Sequence, residues 1–150
     1  MIKSFLNYTG GKYRIIKQLL PLFPTYCDTM IDMFGGSGVV TANYKGADRY
    51  IFNDNNEQLI GLMWYIENYS AESIEESIDK IIIDYGLTST MSYGYKEYQV
   101  SSTNGLATIN KSGYLKLRDD YNNNLLDFKL KPIYLYALII FGFNNQIRFR

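Results

Sequence analysis

The chain has 150 residues, enough for one domain or for one domain with an inserted subdomain. Its 15 Lys+Arg balance 15 Asp+Glu, so no global positive field advertises a polyanionic partner, although a locally basic face can act within a neutral chain. With no histidine and a single cysteine, Cys27, the sequence excludes histidine triads, histidine proton shuttles and an intrachain disulfide, and no metal site is expected.

The lone thiol suits a reducing compartment. There is neither a run of about eighteen apolar residues nor a signal-peptide layout, so a cytoplasmic protein with no membrane partner is expected. The 15 Tyr and 8 Phe bring apolar bodies, and the tyrosines polar tips, so many are expected to be structural.

Phe5-Leu6-Asn7-Tyr8-Thr9-Gly10-Gly11-Lys12-Tyr13-Arg14 opens the chain. Gly10-Gly11-Lys12 looks like a truncated phosphate loop, but the frame G-x-x-x-x-G-K-[ST] is absent. Tyr13 stands where a hydroxyl would hold Mg²⁺, which argues against an NTPase. By itself the segment reads equally as a solvated turn. Ile15-Ile16-Lys17-Gln18-Leu19-Leu20 has helical apolar spacing, predicted to stop at Pro21 and Pro24.

Two strands follow, near residues 28–33 and 49–53. The first runs into the turn Asp32-Met33-Phe34-Gly35-Gly36-Ser37-Gly38 and then into helix-like Val39-Val40-Thr41-Ala42. The second, Tyr50-Ile51-Phe52-Asn53, ends on Asp54. Thr41 lies three residues after Gly38, so the turn is not G-x-G-x-x-G and could be an ordinary tight turn. An acid at the tip of the next strand favours the alternative, in which glycine backbone approaches an adenosine-type cofactor and the carboxylate accepts ribose hydroxyls.

Helical spacing returns at Leu59, Ile60, Leu62, Met63 and Ile66, and again at Ile74, Ile78, Ile81 and Ile82, with Ser70 or Ser73 as cap. The acids of the second helix read as a solvated face. Residues 88–112 are rich in Ser, Thr, Asn, Gly and Tyr and are predicted to be a loop or mobile region. Lys96, Lys111, Lys116 and Arg118 lie in or beside it, interleaved with Tyr93, Tyr95, Tyr98 and Tyr114. Such a mixture suits phosphate contact and base stacking, or equally a solvated surface. Pro132 is placed to begin a long apolar helix through Ile140, buried on most faces.

Three of these stretches together resemble the N-terminal half of the Dam-like N6-adenine DNA methyltransferases. They are Phe5-Leu6-x-Tyr8-x-Gly10-Gly11-Lys12-Tyr13-Arg14, Asp32-Met33-Phe34-Gly35-Gly36-Ser37-Gly38 and Asn53-Asp54-Asn55-Asn56-x-x-Leu59-Ile60. The resemblance implies an α/β fold: a partial Rossmann-like S-adenosylmethionine-dependent methyltransferase domain with an inserted helical target-recognition subdomain. Residues 1–62 would be the cofactor-binding part, 63–131 the insertion, and 132–150 a return helix into the methyltransferase domain.

The resemblance also implies cofactor roles for Tyr8, Gly10, Gly11, Lys12, Asp32, Phe34, Gly35, Gly36, Gly38 and Asp54. Tyr8 could pack on S-adenosylmethionine with Lys12 near its carboxylate, Phe34 against the sulfonium end, and Asp54 on the ribose hydroxyls. Asp32 could meet the cationic amino group or simply cap turn amides. Tyr114-Leu115-Lys116-Leu117-Arg118-Asp119-Asp120-Tyr121-Asn122 resembles a further family segment. Lys96, Lys111, Lys116, Arg118 and Arg148 are the candidate contacts to double-stranded DNA, with core-margin packing the alternative for Arg148.

No residue is assigned to catalysis. The family's Asp/Asn/Ser-Pro-Pro-aromatic motif needs adjacent prolines, and the only prolines are Pro21, Pro24 and Pro132. In the family that motif accepts hydrogen bonds from the N6 amino group of a flipped adenine, which positions it for methyl transfer. The chain is therefore expected to be inactive alone, as a fragment, a natural truncation, or one part of an enzyme completed by a second chain or by self-association. Its expected setting is bacterial or phage-encoded. The competing reading is a non-catalytic remnant that binds DNA or a partner; a nicotinamide-dependent enzyme would need a full dinucleotide-binding unit.

Overall fold

A computed structural model describes the chain except residues 9, 101–104, 124, 126, 128 and 143–150. The described residues form a mixed α/β structure in two compact units, one of Met1–Ile60 and one beginning at Gly61.

In the first unit a 3-10 turn (Lys12–Arg14) leads into α1 (Ile16–Leu19), then a second 3-10 turn (Leu20–Leu22). The helical run thus passes Pro21 instead of stopping there, because Pro21 sits in the first turn of the new helix, where its missing N–H is not needed. Strand β1 (Cys27–Asp32), helix α2 (Val39–Asn43) and strand β2 (Ala47–Phe52) form a β-α-β unit. The strands are parallel, in register from Cys27 opposite Ala47 to Asp32 opposite Phe52. Both expected strands are present.

Val39 and Val40 on α2 pack with Ile16 on α1 to form the core of this unit, with Leu20, Phe23 and Met30 against it. Met30 therefore marks the covered face of the sheet. Ile31, pointing to the other face by strand alternation, is 52% exposed.

Helix α3 (Glu57–Asn68) begins where the Asn56 side chain caps it, its Oδ1 accepting from the N–H groups of Gln58 (3.1 Å) and Leu59 (3.1 Å). In the second unit, α4 (Ala71–Tyr85) is capped by Ser70, whose Oγ accepts the Ser73 N–H at 3.2 Å, and ends at Gly86. Helices α5 (Thr90–Glu97), α6 (Ala107–Asn122) and α7 (Lys131–Phe141) follow.

Within residues 88–112, residues 90–97 and 107–112 are thus helical, against the expectation of a loop. The buried stripe of α6 is Asn110, Gly113, Leu117 and Tyr121. Its first two members are an amide and a glycine, so the helical period is invisible to a reading of apolar residues alone. Pro132 stands at the start of α7, as expected. However, Ile133 and Ala137 of α7 share a core with Tyr65, Ile81, Leu87 and Leu117. Helix α7 packs its apolar faces against α4 and α6 of the second unit. No described helix is long and apolar enough to cross a membrane.

Candidate functional site

The first unit contains an open cleft of about 160 Å³, far above the ~10–15 Å³ that one water needs. Tyr8, Gly10, Gly11, Lys12, Phe34, Gly35, Gly36 and Asp54 line it together with Ser37, Val39 and Val40. Eight of the ten residues expected to serve a cofactor therefore converge there. Asp32 and Gly38 do not line it. The Asp32 carboxylate accepts the Thr41 hydroxyl at 2.9 Å, tying the strand end to α2. Gly38 is the N-cap of α2, with φ 72°.

The cleft exists because the tips of the two parallel strands are stitched together. Asn53 N–H donates to the Asp32 carbonyl (2.9 Å), and Gly35 N–H donates to the Asn53 carbonyl (2.8 Å). The Asn53 side chain donates to the Met33 carbonyl at 3.0 Å. Asp54 then spans both loops: one carboxylate oxygen accepts Gly36 N–H at 2.9 Å and the other accepts Asn56 N–H at 3.0 Å. An ionised carboxylate offers about four acceptor sites, so two remain for a ligand's hydroxyls.

The glycines make the approach possible. A Cβ on Gly35 would overlap the ring of Phe52, and Gly36 sits at φ 51° with the Tyr8 ring edge 3.3 Å from where its Cβ would be. The glycine turn is thus closed over by Tyr8, whose carbonyl accepts Gly11 N–H at 3.0 Å. Phe34 projects at the rim, 80% exposed, and Lys12 is exposed.

The residues present fit an adenosine-type sulfonium cofactor. They offer a carboxylate with spare acceptors, backbone bare of Cβ atoms, two aromatic rings and a free-standing ammonium in one cleft. Ser37, Val39 and Val40 escaped the sequence reading. Ser37 lies within the glycine turn and could have been included by position, whereas the two valines carry no signal beyond core packing.

The sequence matches one protein family over residues 8–150, almost its entire length. The chain belongs to the D12 class N6 adenine-specific DNA methyltransferases. Among its relatives, the modification methylase StsI of Streptococcus sanguinis is 34% identical over 99% of this chain and 19% of its own length. The type II methyltransferase M.FokI of Planomicrobium okeanokoites is 32% identical over 99% of this chain and 19% of its own. The DNA adenine methylase of Haemophilus influenzae is 28% identical over 98% of this chain and 43% of its own. The chain thus spans about a fifth of the length of the first two of these relatives, and less than half of the third.

Four candidate DNA contacts, Lys96, Lys111, Lys116 and Arg118, lie on the helical unit and are not gathered at one point. Lys96 is exposed in the last turn of α5. Lys111 and Arg118, seven residues apart, share one face of α6. Lys116 lies on another face, with Nζ 5.5 Å above the Tyr85 ring. Arg118 is half-buried, 3.7 Å from the Asp119 carboxylate. Arg148 lies outside the described residues.

Proposed function

We propose that this chain supplies the cofactor-binding part of a site-specific DNA adenine-N6 methyltransferase, with S-adenosylmethionine as methyl donor and double-stranded DNA as substrate. The observation that carries the reading is the convergence of Tyr8, Gly10–Lys12, Phe34–Gly36 and Asp54 on one cleft at the carboxyl ends of two parallel strands. In an open α/β sheet that is where ligands bind. Asp54 accepts the ribose hydroxyls while holding the two loops in place. Phe34 and Tyr8 give apolar and cation-stabilising surface to the sulfonium end, and Lys12 meets the carboxylate of the methionine moiety. When bound, the cofactor supplies an electrophilic methyl group; the described residues bind and orient it.

Residues about 63–131 are read as the target-recognition part, with Lys96, Lys111, Lys116 and Arg118 toward DNA, and Arg148, beyond them, as a further DNA contact. Methyl transfer needs an acceptor set for the adenine N6 amino group, and no adjacent prolines exist in this sequence to build the family's motif. The 150 residues alone are therefore expected to transfer no methyl groups; the missing acceptor set would come from a longer form of the same polypeptide, a second chain or self-association.

Titration calorimetry of the folded chain with S-adenosylmethionine tests the reading. Saturable one-to-one binding is expected, with no label reaching DNA from a radiolabelled cofactor. The absence of binding in a folded sample would overturn the cofactor assignment, and methylated DNA would overturn the inactivity.

A further inference from the structure

Residues 1–8 lie in no helix or strand, yet they deliver Tyr8 to the cleft. No ladder of backbone hydrogen bonds aligns this arm, so individual contacts set its course. One side chain at the far end of α2 makes such a contact. Asn43 Oδ1 accepts the Ile2 N–H at 2.7 Å, and Asn43 Nδ2 donates to the Ile2 carbonyl at 2.7 Å. The same Nδ2 donates to the Val39 carbonyl, one turn back in α2, at 2.8 Å. Both amide hydrogens are thus taken by carbonyls and the amide oxygen by an N–H, a set that only a carboxamide can complete. The clasp grips the main chain of Ile2 and leaves its side chain 52% exposed.

Further along, the arm is seated twice more. Leu6 is buried, at 5% exposed. Tyr8 then lies against the glycine turn: its carbonyl accepts Gly11 N–H at 3.0 Å, and its ring edge is 3.3 Å from where a Cβ on Gly36 would stand. Helix α2 carries Asn43 at one end and, at the other, Val39 and Val40, which line the cleft. Wall and anchor therefore share one short helix, and the clasp fixes the arm in the frame of the cleft itself. From Ile2 to Tyr8 the chain can reach up to about 20 Å, whereas α2 is only about 6–8 Å long. The segment has slack, and the clasp removes it at the N-terminal end.

We propose that Asn43 is a positioning residue for the cleft: by clasping Ile2 to the end of α2 it seats Tyr8 over the glycine turn. The inference rests on the reading of this cleft as the S-adenosylmethionine site. Asn43 touches no ligand. It acts through the arm, because the Tyr8 ring forms part of the cleft only in molecules whose arm is seated, and affinity scales with that fraction.

The test is titration calorimetry with S-adenosylmethionine in a double-mutant cycle. Asn43→Ala introduces a better helix former, so α2 is not weakened by propensity. It should reduce affinity about fivefold, on the scale of one net hydrogen bond once water has replaced part of the clasp. Asn43→Asp, similar in shape but without amide donors, should reduce it likewise. In a Tyr8→Ala background the Asn43→Ala change should alter affinity less than about twofold, because the ring it positions is gone. An equal loss in both backgrounds, or no loss with Tyr8 present, overturns the proposal. A second readout needs no ligand. The NMR cross-peak between the Tyr8 ring and Gly36 should fade in Asn43→Ala, while the methyl resonances of Val39 and Val40 keep their positions and show the wall of the cleft intact. A cross-peak of wild-type intensity overturns the proposal. No S-adenosylmethionine binding by the wild type overturns the cofactor reading instead, and the cross-peak then decides the seating of Tyr8 by itself.

Discussion

Asp54→Ala removes the carboxylate that joins the glycine turn to the start of α3. Two charge-assisted hydrogen bonds are lost, to Gly36 N–H at 2.9 Å and Asn56 N–H at 3.0 Å. Such bonds contribute about 1.5–3 kcal/mol each when buried, but this carboxylate is half-buried beside an open cleft, so water can replace part of each. About 2 kcal/mol for the pair is the expectation. Amide hydrogen exchange reads it locally: the Gly36 and Asn56 amides should exchange roughly thirtyfold faster. Asp54→Asn keeps one acceptor oxygen and should lose about half of that, at one of the two amides. Both variants lose ionised acceptors for ligand hydroxyls, so calorimetry should show S-adenosylmethionine affinity falling at least tenfold in each. Unchanged exchange in Asp54→Ala would refute the structural role. Unchanged affinity in both variants would refute the ribose role, whatever the exchange shows.

Gly35→Ala drives a Cβ into the Phe52 ring and should destabilise the first unit by about 1–3 kcal/mol in urea unfolding. Phe52→Leu in the same chain should recover much of that loss; no recovery would place the strain elsewhere. Asn110→Leu leaves the buried Thr88 N–H without its acceptor and should cost about 1–3 kcal/mol in the helical unit, measured as a lowered urea midpoint. The Tyr85 phenol is pushed up, first by burial and then by its hydrogen bond to Asp120 at 2.9 Å, so the folded state favours its neutral form. Its contribution is whole below the unfolded value near 10 and is lost as pH rises beyond it. Tyr85→Phe should therefore flatten the fall of stability above about pH 10 in thermal scans, and an unchanged slope would assign that fall to another group. Asn43 exchanges hydrogen bonds with both the N–H and the carbonyl of Ile2, each at 2.7 Å. Asn43→Ala should loosen the N-terminal arm, seen as faster proteolysis of that arm, with α2 itself retained.

The cleft was legible because its determinants are local. Glycine turn, strand-tip acid and the Tyr8–Lys12 stretch are contiguous motifs, and parallel pairing of β1 with β2 brings them together without help from distant side chains. The strand positions, the Ser70 cap and the Pro132 start were legible for the same reason. The cap at Asn56 and the brace from Asp32 to Thr41 were not, because an Asn or Asp near a turn has several possible partners and only the fold chooses among them. Asp32 braces α2 through Thr41 and Gly38 is the N-cap of α2, placements that no contiguous motif records.

The helices over 90–97 and 107–112 were illegible for a different reason. Their structure is set by pairs twenty-two and nine residues apart, Thr88 with Asn110 and Ser89 with Tyr98, and composition carries no record of pairing at such distances. A polar, tyrosine-rich stretch reads as a loop when its hydrogen-bonding groups are taken as solvated. Here several of them are spent internally to hold a short helix in place, on which Tyr93 and Tyr95 are exposed. The two units thus fix their geometry in opposite ways. In the first, backbone amides and missing Cβ atoms shape the cleft, so substitutions there act through main-chain geometry. In the second, polar side chains distant in sequence hold the helices, so substitutions at Thr88 or Asn110 should act on the fold of that unit.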